Sequence, residues 1–100
     1  MRTLTVFLVL ILVCGCASEN AKTPTDLCLA KCKQALSSNV DLSNGPCLSN
    51  QIAVDWVCDI AHSPRIEADN LLENRCEAFA RGEAHHFVEL DAECNVIQVY

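Results

Sequence analysis

Apolar positions in this 100-residue chain follow two different rules. Leu4–Val13 is a continuous apolar run interrupted only by Thr5, and no charged residue stands between Thr3 and Ser18. From Thr23 onward the apolar residues become periodic. Thr23-Pro24-Thr25-Asp26 is a helix start: a hydroxyl to cap a free backbone N–H, proline at the first helical position, and an acid to complement the dipole. A helix over about Pro24–Leu36 follows, with Cys28, Cys32 and Ala35 along one face. Ser37–Asn50 reads as a loop turning at Asn44-Gly45-Pro46. Ile52, Val54, Trp56, Cys58 and Ile60 then alternate with Ala53, Asp55, Val57 and Asp59. This predicts one strand with an apolar face on which Trp56 is the largest core block. Ser63-Pro64-Arg65 ends that strand. Asp69–Arg81 returns to helical spacing, with Leu72, Cys76 and Phe79/Ala80 on one face and Gly82 after the end. Ala84–Tyr100 reads as two strands joined by a turn at Asp91–Asn95. The expected fold is α+β: a three-stranded antiparallel sheet with two short helices packed on one of its faces.

The non-periodic run belongs to a different object. Arg2 precedes it, and the small residues Gly15, Cys16 and Ala17 follow it, which is the layout of a secretory signal peptide. Spanning a bilayer takes roughly 20 apolar residues, more than this run supplies, so an uncleaved anchor fits less well. Val13-Cys14-Gly15-Cys16 resembles a lipobox, in which case Cys16 is lipidated and becomes the first mature residue. It departs from that pattern at Cys14, where alanine or serine is usual. Simple cleavage after Ala17 is the alternative. The expected organisation is a signal peptide over 1–16, a polar tether over 17–23 and one cysteine-rich domain over 24–100. A two-chain lipid anchor, at about 0.8 kcal/mol per buried methylene, suffices for stable attachment to a membrane.

Cleavage divides the eight cysteines of the chain. Cys14 and Cys16 go to export and anchoring; Cys28, Cys32, Cys47, Cys58, Cys76 and Cys94 remain for three disulfides. Six cysteines permit 15 connectivities. Cys28 and Cys32 lie one helical turn apart with parallel side-chain directions, so each is expected to bridge to a different element. A domain this small depends on such cross-links, since its core alone barely offsets the chain entropy. Loss of Arg2 with the signal leaves six basic residues against thirteen acidic. That balance excludes nucleic acid as a partner, which requires a basic surface, and excludes attachment to anionic lipid by charge alone.

Motifs of catalysis are sparse. The nearest cysteine pair is Cys-x-x-x-Cys, not the Cys-x-x-Cys of thiol-redox sites. The later spacings of 15, 11, 18 and 18 residues do not form the close pairs of a zinc site. His62, His85 and His86 with Asp59 are conceivable metal ligands, but neighbours on a strand point to opposite faces, so His85 and His86 are poorly placed to share one ion. Asp55 and Asp59 lie too far apart for acid–base pairing. No cofactor motif is present, and no metal set is assigned.

The segments Pro46-Cys47-Leu48-Ser49, Trp56-Val57-Cys58-Asp59-Ile60-Ala61-His62-Ser63-Pro64-Arg65, Asp69-Asn70, Glu73-Asn74-Arg75-Cys76, Phe79, Gly82 and His86-Phe87-Val88-Glu89 together resemble a family of short, exported, cysteine-bearing proteins, mainly archaeal, to which no activity is assigned. The resemblance spans roughly residues 27–100 and implies one compact domain after an export signal. That family often has proline where Leu72 stands, which implies a later start for the second helix. The polar residues Asp59, His62, Arg65, Asp69, Asn70, Glu73, Asn74 and His86 are the candidate binding surface. Local loop-capping by Asp, Asn and Arg is the plainer account of that cluster. The expected function is a lipid-anchored, extracytoplasmic, disulfide-stabilised domain that binds a partner without catalysis. An extracytoplasmic metal-binding or thiol-redox protein is the alternative.

Overall fold

A computed structural model of the protein describes residues 21–100. The expected signal peptide, its lipobox-like end with Cys16, and residues 17–20 of the expected tether lie outside the described residues. Among the described residues, no helix is long and apolar enough to cross a membrane.

Helix α1, Pro24–Ser37, starts as its sequence demands. Thr23 Oγ1 accepts from Asp26 N–H at 3.1 Å, and the Asp26 carboxylate accepts from Thr23 N–H at 3.3 Å, closing a reciprocal capping box. Its buried positions are Cys28 and Cys32, on the face anticipated. The sheet that α1 covers has four strands, not three: β1 (Cys47–Ala53), β2 (Trp56–Ile60), β3 (His86–Leu90) and β4 (Val96–Val99), in the spatial order β1-β2-β3-β4. The outer pairs are antiparallel, but β2 and β3 run parallel, so the sheet is mixed.

The expected strand over Ile52–Ile60 is a hairpin instead. The chain reverses at Val54-Asp55 and pairs Ala53 with Trp56. Asp55 takes φ 71°, the left-handed region that Asp tolerates better than most residues. Val54, counted as core by the alternation, stands at the hairpin tip and is 82% exposed. The first half of β1 comes out of the segment read as loop. The final hairpin agrees with expectation, with Asp91 capping its turn by accepting from Glu93 and Asn95 N–H.

The second predicted helix is mostly absent. Glu67–Asn70 and Leu72–Asn74 are 3₁₀ turns, and only Glu77–Ala80 (α2) is α-helical. Leu71 and Arg75 adopt extended backbone angles that break the run. Short polar side chains here bond to nearby backbone rather than extending a helix: Asp69 accepts from Ile66 N–H, and Asn74 donates to the Ala68 carbonyl. Leu72, expected to face the core, is 78% exposed.

Parallel strands need a covering crossover, and the 61–85 connection supplies it on the face opposite α1. The two helices therefore lie on opposite faces rather than on one. On the α1 side, Cys28, Cys32, Leu42, Cys58, Ile60, Val88, Leu90 and Cys94 form the main core. On the other side, Val57, Cys76 and Ala84 form a second core with Phe79 and Phe87. Trp56 is half-buried at the edge of the main core, whose fully buried large side chains are Ile60, Leu90 and Val88; Val57 plays that part in the second core. Three disulfides staple these layers. Cys28–Cys58 ties α1 to β2, Cys32–Cys94 ties α1 to the β3–β4 turn, and Cys47–Cys76 ties β1 to the crossover. Cys28 and Cys32 thus reach different elements, as helix geometry requires.

The sequence separations rank the bridges. Cys32–Cys94 closes 62 residues, against 30 and 29 for the others. In the chain-entropy account its loss costs about 4 kcal/mol, roughly 0.6 more than either of the other two. Of the three paired Cys→Ala variants, C32A/C94A is expected to have the lowest urea midpoint.

Candidate functional site

Alternation along the parallel pair sets the site. Trp56, Cys58 and Ile60 of β2 and His86, Val88 and Leu90 of β3 face α1, which leaves Val57, Asp59, Phe87 and Glu89 facing the crossover. Asp59 and Glu89 are register partners on adjacent strands, as are Glu89 and Gln98 across β3 and β4. Two acids therefore sit side by side on this face, between the apolar Val57 and Phe87 and the amide of Gln98. Between them and the crossover lies a cleft of about 150 Å³, completed by Arg65, Asp69, Arg75, Cys76 and Phe79. The aromatic rings fix its floor: Phe79 meets Phe87 edge-on at 5.0 Å, and Tyr100 stacks on Phe87 at 5.4 Å.

Arg65 organises one wall. Its guanidinium donates to Glu89 Oε2 at 2.9 Å, to the Asp69 carbonyl at 3.1 Å and to Asn70 Oδ1 at 3.2 Å. Glu89 is buried and the ion pair is partly shielded, a setting in which such a charge needs its partner. Asp69, also buried, accepts from the backbone N–H groups of His62 and Ile66, each at 3.0 Å, and pairs with His62 Nδ1 at 2.9 Å. Burial works against ionisation of Asp69, but these hydrogen bonds outweigh it and hold the carboxyl below its ordinary value. The Asp69 hydrogen bond in turn raises His62 above the usual imidazole range, with burial opposing. Gly45 makes room for this knot. It has φ +70°, and a Cβ there would lie 2.6 Å from Asp69 Oδ1 and 3.1 Å from the Ile60 carbonyl.

Asp59 is treated differently. Its Oδ1 is buried without a hydrogen-bond partner among the described residues. Burial, reinforced by the negative charge of Glu89, pushes its carboxyl up to about 7, against the pull of the Ile60 N–H and Arg65. Near neutral pH this group is poised between its acid and its base.

Of the eight candidate surface residues, Asp59, Arg65 and Asp69 line the cleft. His62, Asn70 and Asn74 buttress its wall by hydrogen bonds, so loop-capping accounts for them. Glu73 is exposed on a 3₁₀ turn. His86 belongs elsewhere: its register partner is Trp56, at the other end of the strands from Asp59. There it stacks on Trp56 with ring centroids 4.7 Å apart. It also shares Asp55 with its neighbour, at 3.6 Å for His86 and 2.7 Å for His85. The two histidines converge because His85 precedes β3 and escapes strand alternation. Among the described residues, no three His, Cys, Asp or Glu side chains assemble as a metal-ligand set.

Glu89, Arg75, Gln98, Phe79 and Phe87 were not singled out as site residues by the sequence. A signal did exist for Glu89. Val-Cys-Asp-Ile and Phe-Val-Glu-Leu each place one acid inside an apolar strand, and such an acid must face either a partner or a cavity. In comparisons with known proteins, no family model matches this chain, and neither a curated protein nor a solved structure matches it significantly.

The raised Asp59 carboxyl has a stability consequence. Between its ordinary value of 3.8 and about 7, the folded protein holds a proton that the unfolded chain has released. Stability therefore falls as pH rises through that window. Asp59→Asn is expected to stabilise the protein on the order of 1–3 kcal/mol at pH 8 and to change little at pH 4. Denaturant titrations at the two pH values check this. His62, whose contribution is likewise lost as pH rises through its folded value, leaves part of the slope in the variant.

Proposed function

We propose that this protein is exported, anchored by a lipid on Cys16, and serves as a non-enzymatic binding domain whose ligand occupies the Asp59 cleft. The cleft itself carries the reading. A polar atom buried without a partner costs on the order of 1–3 kcal/mol, and such costs persist where a ligand supplies the missing bond. Asp59 is in that position, beside a cavity with an aromatic floor.

The chemistry of the lining favours binding over catalysis. It offers carboxylates, guanidinium groups and an amide, but no hydroxyl, amine or free thiol, since Cys76 is bonded to Cys47. Three disulfides in so small a domain fit an oxidising, extracytoplasmic compartment. They also speak against a thiol-exchange role. All six described cysteines are paired, and Cys28, Cys32 and Cys58 are 0% exposed, beyond the reach of an attacking thiolate. The likeness to short exported cysteine-bearing proteins fits the same reading, with the apolar run over Leu4–Val13 as the export signal.

Intact mass of the native protein is expected to show a chain beginning at Cys16, with diacyl lipid and three disulfides. Cys16→Ala is expected to move it from the membrane fraction to the soluble one; a variant that stays membrane-bound removes the lipid anchor from the proposal. For the cleft, a mixture of small polar fragments is expected to shift the backbone amide resonances of Asp59, Glu89 and Arg75 while leaving those of α1 in place. Shifts confined to α1 would remove the cleft as the binding site.

A further inference from the structure

The polar groups around the cleft divide into two sets. Arg65, Glu89 and Asp69 are committed to one another and to the backbone. Asp59, Arg75 and Gln98 are not: among the described residues, Asp59 Oδ1 has no partner, and neither the Arg75 guanidinium nor the Gln98 amide makes a side-chain hydrogen bond or ion pair. Asp59 and Arg75 carry opposite charges and line the same cavity, yet they do not pair. Arg75 is exposed at the rim, held by the extended backbone next to Cys76, whose disulfide to Cys47 fixes that point of the crossover. Asp59 lies inside, on the sheet.

Resting on the cleft reading above, we propose that the ligand is a free α-amino acid with an apolar side chain of small to medium size. Its ammonium bonds the Asp59 carboxylate, its carboxylate bonds Arg75, and its side chain lies on the Phe79–Phe87 floor. Size agrees for the side chain, since a cleft of about 150 Å³ holds a group of roughly benzene's size, while the carboxylate lies at the exposed rim with Arg75. Charge agrees as well. An amine alone leaves Arg75 without a partner. An anion alone meets Glu89 and Asp59, and Arg65 is already spent on Glu89. A zwitterion satisfies both uncommitted charges at once, and the shielding around Asp59 strengthens the charge-assisted bond to an ammonium.

Binding also moves a proton. The ammonium favours the carboxylate form of Asp59 against the burial and the neighbouring Glu89 and Asp69 charges that oppose it, with Arg65 assisting. Near pH 7 the ligand therefore displaces a proton from Asp59 into solvent.

Isothermal titration of the full chain, as isolated, with L-leucine, leucine amide and N-acetyl-leucine tests this. Leucine is expected to bind with a heat that depends on the buffer's ionisation enthalpy at pH 7, which reports the released proton. Removing either charge from the ligand is expected to weaken binding at least about tenfold. Asp59→Asn is expected to weaken leucine at least about tenfold and to abolish the buffer dependence. Arg75→Gln, at an exposed position, is expected to weaken leucine by a similar factor while leaving leucine amide unchanged. If leucine amide binds as tightly as leucine, remains sensitive to D59N and ignores R75Q, the cleft is an amine site and the amino-acid inference falls while the cleft reading stands. If leucine binds but neither variant weakens it, both fall. Absence of heat with all three probes overturns the amino-acid inference, and the amide-shift experiment then decides the cleft separately.

Discussion

The parallel register of β2 and β3 requires the chain to leave the sheet at Ile60 and return to its opposite end at His86. No turn can make that journey, so residues 61–85 must cross a face of the sheet. The other face is left to α1. Both central strands are then covered on both sides, and their sequences show it: Val57, Cys58, Ile60, Val88 and Leu90 are all buried. The acids between them, Asp59 and Glu89, share the crossover face because strand alternation gives them no other choice. Fold and cleft thus have one origin. A purely antiparallel sheet of the same strands would have placed a hairpin where the crossover now forms the roof of the cavity.

A crossover with so little regular structure needs help to stay in place. Its 3₁₀ turns and single turn of α-helix bury little apolar surface of their own. Two devices compensate. The Cys47–Cys76 bridge pins the later part to β1, and the Asp69–His62–Arg65–Glu89 network pins the earlier part to β3. The cleft opens between these two points, which is where the roof is least constrained by its own packing. Of the three acids facing it, two are fully engaged by the network and one is not, and this asymmetry separates scaffold from site.

Local signals were legible where local physics decides the outcome. The Thr23 cap of α1, the Asp91–Asn95 turn and the divergence of Cys28 and Cys32 all follow from interactions within a few residues. The errors came where a short-range pattern met a long-range constraint. Period-two alternation ran through Val54-Asp55 because a two-residue reversal leaves the pattern looking continuous. Helical spacing over Asp69–Arg81 was real, but Asp69 and Asn74 spent their side chains on backbone groups, and Leu71 and Arg75 went extended. Parallel pairing leaves no mark at any single position. Of the candidate surface, Asp59, Arg65 and Asp69 were visible as a polar cluster and line one cleft, whereas Arg75 and Gln98 join them only through register and crossover. His86 lies apart from that cleft, and its contact with Trp56 is itself a product of the parallel register.

The connectivity of the cysteines bears on how the molecule comes into being. Among the described residues, no bridge joins cysteines adjacent in sequence order: Cys28 skips to Cys58, Cys47 to Cys76, and Cys32 to Cys94. A chain that emerges from its N-terminus presents Cys28 and Cys32 together, then Cys47, long before the correct partners arrive. Cys32 must wait for Cys94, 62 residues later. Pairing in order of appearance would therefore trap the wrong topology at every step. Two of the native bridges need the chain only as far as Cys76, whereas the one that closes the longest loop is out of reach until Cys94 has been made.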